Sequence, residues 1–323
     1  MPSQLRSLAG RNRATLLSAA ALVALFALGP TGSLAQNNGQ NAPQAAAAQP
    51  APPPPPAGSV GGMGDVNLFP KRVVLNGRRE IASIGLYNKT ASDGDYEIKI
   101  VDMAMTPDGQ LKFFDNGLDE ATKAQVKTAS AMLRHSPRRI VLRGSESQLV
   151  RVMARGEAEL PDGEYRSHFL VASVPPVTEG LSIDDAASNG RAEGIDVTIR
   201  PRFGIAIPII VRIGQTTLAV GIKDASLVTL DNGAKAIAFT LTRSGTRSAF
   251  GDVTVTAAGA STPVAISKGI GVYPEVDSRQ VVIPVDPETD PRLLARGARL
   301  KIQFTDDDVA PGTKLAEHDL VVP

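Results

Sequence analysis

Ile195, Val197, Ile199, Pro201, Phe203, Ile205, Ile207, Ile209 and Val211 occupy the odd positions of one continuous run, and Asp196, Thr198, Arg200, Arg202, Gly204, Ala206, Pro208, Ile210 and Arg212 the even ones. A period of two places each set on one face of an extended strand, so one face is apolar throughout. At about 3.3 Å per residue the run reaches on the order of 55 Å, far beyond the usual strand of about five or six residues. Pro201 and Pro208 cannot donate to a ladder, which suits an edge, a bulge or a bend and not a central position. The run therefore predicts an edge strand over 195–212 with an apolar row that is partly unpartnered. Alternation alone leaves open whether that row fills the protein's own core or is offered to another chain.

Shorter alternating runs flank this one, separated by turn chemistry. On the N-terminal side, strands are expected at 72–75, 81–87, 96–103, 139–142, 148–153 and 165–174, with turns at Asn76-Gly77, Pro107-Asp108-Gly109 and Pro161-Asp162-Gly163. A helix is expected over 118–132, the one interruption with a helical composition. After Gly214 strands are expected at 218–220, 236–241, 253–257, 280–285, 300–304 and 315–322, with turns at Asp231-Asn232-Gly233 and Pro311-Gly312. This cadence predicts an all-β chain with two immunoglobulin-like β-sandwich domains, over 66–213 and 214–323. No repeat of solenoid period is visible.

The N-terminus carries Arg6, Arg11 and Arg13 ahead of an apolar stretch from Leu16 to Leu28, then Gly29-Pro30 and a small-x-Ala site at Ser33-Leu34-Ala35. That is the pattern of a cleaved secretory signal over 1–35. Its apolar part is about 13 residues, where a membrane span needs ~20. Over 36–65 the chain is rich in Ala, Gln, Asn and Pro, with an unbroken Pro52–Pro56 run. Such a composition buries too little apolar area to offset its ordering entropy and predicts a disordered tether.

Several function classes lose support. The 323 residues carry 34 Lys and Arg against 33 Asp and Glu, so no overall field draws nucleic acid, and four Tyr, nine Phe and no Trp leave few stacking platforms for it. The basic run Arg134-His135-Ser136-Pro137-Arg138-Arg139 reads as solvated strand side chains. The absence of cysteine removes thiolate chemistry and disulfides. His135, His168 and His318 stand far apart, without ligand spacing. Asp306-Asp307-Asp308 lacks the spacing of a calcium loop and reads as a solvated turn. No nucleophile motif is present, so neither an enzyme activity, a cofactor, a metal nor a small-molecule substrate is expected.

A set of ordered segments resembles the periplasmic, PapD-like chaperones of the chaperone/usher pilus-assembly pathway. Phe69-Pro70-Lys71-Arg72-Val73-Val74-Leu75-Asn76-Gly77 is similar to their first strand and turn, and Ile84-Gly85-Leu86-Tyr87-Asn88 to their second strand. Ser136–Ile140, Gln148–Val152, Leu160–Phe169, Gly245–Asp252 and Val272–Glu275 follow in the family's order. Ile205-Ala206-Ile207-Pro208 resembles the archaic branch.

The resemblance implies two immunoglobulin-like domains in a boomerang and a non-enzymatic, periplasmic function. The long edge strand would complete a pilin-like subunit that lacks its last strand, before delivery to an outer-membrane usher. Ile195, Val197, Ile199 and Phe203 are the implied donor side chains. Each aliphatic so buried is worth about 1.5–3 kcal/mol before ordering costs. The family also holds the subunit's C-terminal carboxylate with two basic residues. The first falls on Arg72; the second belongs on the long strand, at Arg202 or alternatively Arg200. The long Pro-rich tether departs from the family and favours a rival reading, a tethered structural or adhesive surface protein.

Overall fold

The computed structural model describes residues 65–155, 160–175 and 202–323. The expected export signal and all but the last residue of the tether lie outside them, as do Ile195, Val197, Ile199 and Arg200.

The N-terminal half contains β1 (Val66–Phe69), β2 (Val73–Asn76), β3 (Ile81–Asn88), β4 (Gly94–Val101), β5 (Met103–Met105), β6 (Leu111–Phe113), α1 (Glu120–Gln125), β7 (Leu133–Ser136), β8 (Arg139–Leu142), β9 (Ser147–Ala154), β10 (Gly163–Ser173) and β11 (Gly204–Ile213). Two sheets, ordered β1-β3-β9-β7 and β2-β11-β10-β4-β8, face each other. Their inward rows, including Leu68, Leu75, Ile84, Leu86, Val150, Val152, Phe169, Ile209 and Val211, form one core. The alternation is direct in β8, where Ile140 and Leu142 are buried while Arg139 and Val141 face out.

The second half contains β12 (Leu218–Thr229), β13 (Lys235–Gly245), β14 (Ala249–Ala257), β15 (Ala265–Val272), β16 (Ser278–Pro284), β17 (Arg299–Asp306) and β18 (Lys314–Val321). Its sheets are β12-β13-β16 and β15-β14-β17-β18, closed over a second core that includes Ile237, Phe239, Leu241, Val253, Val255, Ile302 and Phe304. The hairpin between β12 and β13 turns at Asn232-Gly233, where Gly233 takes the positive φ of 82° that the turn requires. Two immunoglobulin-like sandwiches in tandem are the architecture.

Two expectations are corrected. The helix over 118–132 is one short helix, α1, with Asp119 capping the Thr122 amide at 2.8 Å, and a separate 3-10 turn at Ser130–Met132. Between them the backbone leaves helical geometry to pair with β10. Thr128 bridges Arg166, and the Arg166 amide donates to the Lys127 carbonyl at 2.8 Å. Sheet pairing thus outcompetes local propensity.

The second correction concerns the edge strand over 195–212. Its described part, β11, pairs along its whole length with β10 and in parallel with β2 over Ile209–Arg212. Only Gly204–Pro208 lacks a β-strand neighbour on the β2 side. β2 takes up its pairing at Ile209, one residue past Pro208, so the proline sits where no donor to β2 is needed. From Ile205 onward the odd row belongs to the protein itself. Ile207, Ile209, Val211 and Ile213 are in the first core, with Ile205 packed against it. On the other face Ile210 joins the core of the second sandwich, so this stretch is apolar on both sides.

Candidate functional site

The even face of β11 and the strands beside it look onto the second sandwich, and the chemistry of the protein collects there. Glu164, Arg166 and His168 project from one face of β10, as the period of two requires, and Arg212 lies opposite Glu164 on β11. All four are buried.

Arg212 lies 3.3 Å from the Glu164 carboxylate and also pairs with Asp308, while Arg247 approaches Asp308 at 3.7 Å. The Ser248 amide donates to Glu164 at 3.2 Å. Burial works against the Arg212 charge, but Asp308 and Glu164 outweigh it and hold the guanidinium above its ordinary value. The stretch Asp306–Asp308 is therefore not the solvated turn expected from sequence. Asp306 is buried and accepts from the Asp308 amide at 2.9 Å and the Ala310 amide at 3.0 Å, Asp307 pairs with Arg72, and Asp308 with Arg212. Arginines from the first sandwich draw this loop inward.

Arg166 carries a second buried pair. Its Nη1 donates to Glu275 at 3.0 Å and its Nη2 to the Met103 carbonyl at 3.0 Å, and its guanidinium lies 3.5 Å over the Tyr273 ring. Glu275 also accepts from the Met105 amide at 2.8 Å, which fixes the β5–β6 hairpin against the second sandwich. Burial pushes the Tyr273 hydroxyl up to about 12. His168 sits edge-on to Tyr273, with no partner for either ring nitrogen among the described residues. Burial and then the neighbouring Arg166 charge push its imidazole down to about 3, so it stays neutral.

Beside these networks lies an open cleft of about 560 Å³, bounded by Lys71, Arg72, Pro208, Phe250, Tyr273 and Arg279, among others. Arg72 immediately precedes β2. Its Nη2 is 3.0 Å from an Asp307 oxygen, its guanidinium lies 4.1 Å over the Phe250 ring, and its side chain is 21% exposed.

Arg202 is elsewhere. It pairs with Glu97 at 2.9 Å and donates to the Ser173 carbonyl at 2.8 Å, half exposed. Glu97 is held below the usual carboxylate range by Lys99 and then by Arg202. Because Val73 is in register with Ile209, the β11 residue beside Arg72 is Pro208, and Arg202 lies roughly 20 Å farther back along the chain. The structure does not bring Arg72 and Arg202 into one site. Phe203, at 52% exposed, borders the open part of β11, where its carbonyl accepts from the Ser173 amide at 2.8 Å.

Among the described residues no group of three His, Asp or Glu side chains is placed to hold a metal. Of the basic run, Arg139 pairs with Asp95 and Arg134 donates to the Ala131 and Leu133 carbonyls. Sequence reasoning missed Glu164, Arg166, Arg212, Glu275 and Arg279. The available signal was a charge placed inside an apolar strand: Arg212 closes Ile209-Ile210-Val211, and Glu164 and Arg166 alternate through a segment that is otherwise buried.

No protein-family model and no curated protein matches the chain. Solved structures do. The Escherichia coli chaperone DraB is 14% identical with a TM-score of 0.40, over 80% of this chain and 96% of that one. The Pseudomonas aeruginosa CupB2 chaperone is 13% identical with a TM-score of 0.38, over 78% and 97%. The Salmonella enterica SafB chaperone, solved with the SafA pilin, is 13% identical with a TM-score of 0.37, over 81% and 98%. The chain is thus similar, over about four-fifths of its length, to solved fimbrial chaperones.

Proposed function

We propose that this protein is an exported, periplasmic chaperone that binds pilus or surface-fibre subunits by adding its own strand to theirs and passes them to an outer-membrane usher. The observation that carries this reading is the unpaired edge of β11 over Gly204–Pro208, which runs into a cleft lined by cations. A subunit short of one strand presents the complementary defect, an open groove with unmet backbone groups. Main-chain hydrogen bonds along such an edge give affinity, and alternate side chains give register. Ile195, Val197, Ile199 and Phe203 are the side chains proposed to enter the groove, with Arg72 binding the subunit's terminal carboxylate. Arg202, or Arg200 beside it, would contact the same subunit farther along the strand.

Co-expression with small secreted subunits encoded by adjacent reading frames tests this. The expected result is a soluble one-to-one complex in the periplasm, lost in Arg72→Ala. No complex with any such subunit overturns it. The Pro52–Pro56 run favours a second reading, a sandwich protein displayed on a tether. In that case the protein fractionates with the envelope and binds no subunit.

A further inference from the structure

Arg72 by itself is a poor receptor for a free carboxylate. Asp307 already sits 3.0 Å from its Nη2, so the two charges largely cancel where a ligand would arrive. The residue beside it on β11 is Pro208, which can supply neither a charge nor a donor. A second cation must come from another strand if the cleft is to attract an anion.

Arg279 meets that requirement. It lies at the start of β16, in the second sandwich, and bounds the same cleft as Arg72 and Lys71. Its Nη1 donates to the Gly271 carbonyl at 2.7 Å, its Nε is buried with no acceptor, and no carboxylate stands within ion-pair distance of it among the described residues. The β5–β6 turn holds it in place: a Cβ added at Gly109 would fall 2.2 Å from the Arg279 Nε, and the Gln280 amide donates to the Pro107 carbonyl at 3.0 Å. Lys71 donates to the Asn67 side chain, a neutral partner. Lys71, Arg72 and Arg279 thus face one carboxylate, Asp307, and the surplus charge is positive. Two of the three donors are guanidinium groups, each able to grip a carboxylate with parallel bonds.

We infer that the terminal carboxylate of a bound polypeptide is held from both sandwiches at once, with Arg279 as the second cation opposite Arg72. This rests on the chaperone reading for the identity of the polypeptide, but the anion site itself can be tested without a subunit.

The probes are two synthetic acetylated peptides of alternating Val and Thr, identical except that one ends in a free carboxylate and the other in a carboxamide. Their binding to the full chain is measured by titration calorimetry at low salt. The acid is expected to bind at least tenfold more tightly than the amide. Arg279→Gln should remove most of that preference, Arg279→Lys should keep part of it, and Arg202→Gln should leave it intact. Melting temperatures confirm that each variant is folded, and loss of acid-over-amide discrimination is a readout that a merely structural role for Arg279 does not produce. Binding of neither peptide, equal binding of both, or a preference unchanged in folded Arg279→Gln overturns the inference. If Arg279→Gln keeps the preference while the protein still co-purifies with a subunit, the chaperone reading survives and only the role of Arg279 falls.

Discussion

Glu164 on β10 and Arg212 on β11 are direct cross-strand partners in the first sandwich, yet each completes its bonding in the second, through Ser248 and Asp308. The pair is buried, so its value depends on every member being present. Removing one partner leaves an uncompensated charge in a low-dielectric setting, which costs about 3–5 kcal/mol. Arg212→Ala strands two carboxylates, Glu164 and Asp308. Urea unfolding should show a loss in that range, with a smaller loss for Asp308→Asn, which retains a polar group and removes a charge. Equal stability of Arg212→Ala and the parent would show that the network is not holding the sandwiches together.

Arg72→Ala separates binding from stability. Its pair with Asp307 is partly exposed and screened, so the variant should lose no more than about 1 kcal/mol. Co-purification with a subunit should nevertheless fail. A large drop in melting temperature instead would assign Arg72 a structural role.

His168 gives a pH dependence with a definite sign. Its folded value, about 3, lies below the ordinary 6.5, so between those limits the unfolded chain binds the proton more readily. Stability from this group is fully present above about pH 6.5 and falls as the pH drops toward 3, by on the order of a few kcal/mol. His168→Leu should flatten that part of the stability profile relative to the parent. Parallel profiles would refute the assignment.

Phe203 is half exposed at the start of the open edge, and Phe203→Asp should change stability by less than about 0.5 kcal/mol. It should weaken subunit capture, since a charge would then enter an apolar groove. Unimpaired capture, measured by pull-down, would remove Phe203 from the donor row.

Gly214 ends β11 with a φ of 61°, and a Cβ there would lie 1.9 Å from an Asp162 carboxylate oxygen. Gly214→Ala should destabilise by about 1–3 kcal/mol in urea unfolding, through backbone strain and displacement of Asp162 from the Gln215 amide.

Much of the sandwich pattern was legible because each half-buried strand repeats with a period of two, as in β8 and β9. What escaped had a physical reason. β15 reads Ala-Ile-Ser-Lys-Gly-Ile-Gly-Val, and its partner β14 shifts register between Gly251 and Val253, so no clean alternation survives. The 118–132 segment has helical composition, but pairing of residues 127–129 with β10 decides its fate. Arg72 was visible through its sequence context. The buried networks were not, because Arg212 and Asp308 are 96 residues apart in the chain and meet only when both sandwiches exist. Arg202 looked suitable by face parity, but register with β2 places Pro208 beside Arg72.

The point on β11 where β2 takes over from the open edge has one more consequence. A polypeptide whose last residue lies in the cleft has that end at Pro208, so it must travel the way β11 travels, as β2 does immediately downstream. A strand laid the other way would bring its ammonium end against Lys71, Arg72 and Arg279. The edge is a one-way slot: charge at its closed end chooses the orientation of the guest, and β2 marks where the guest must stop.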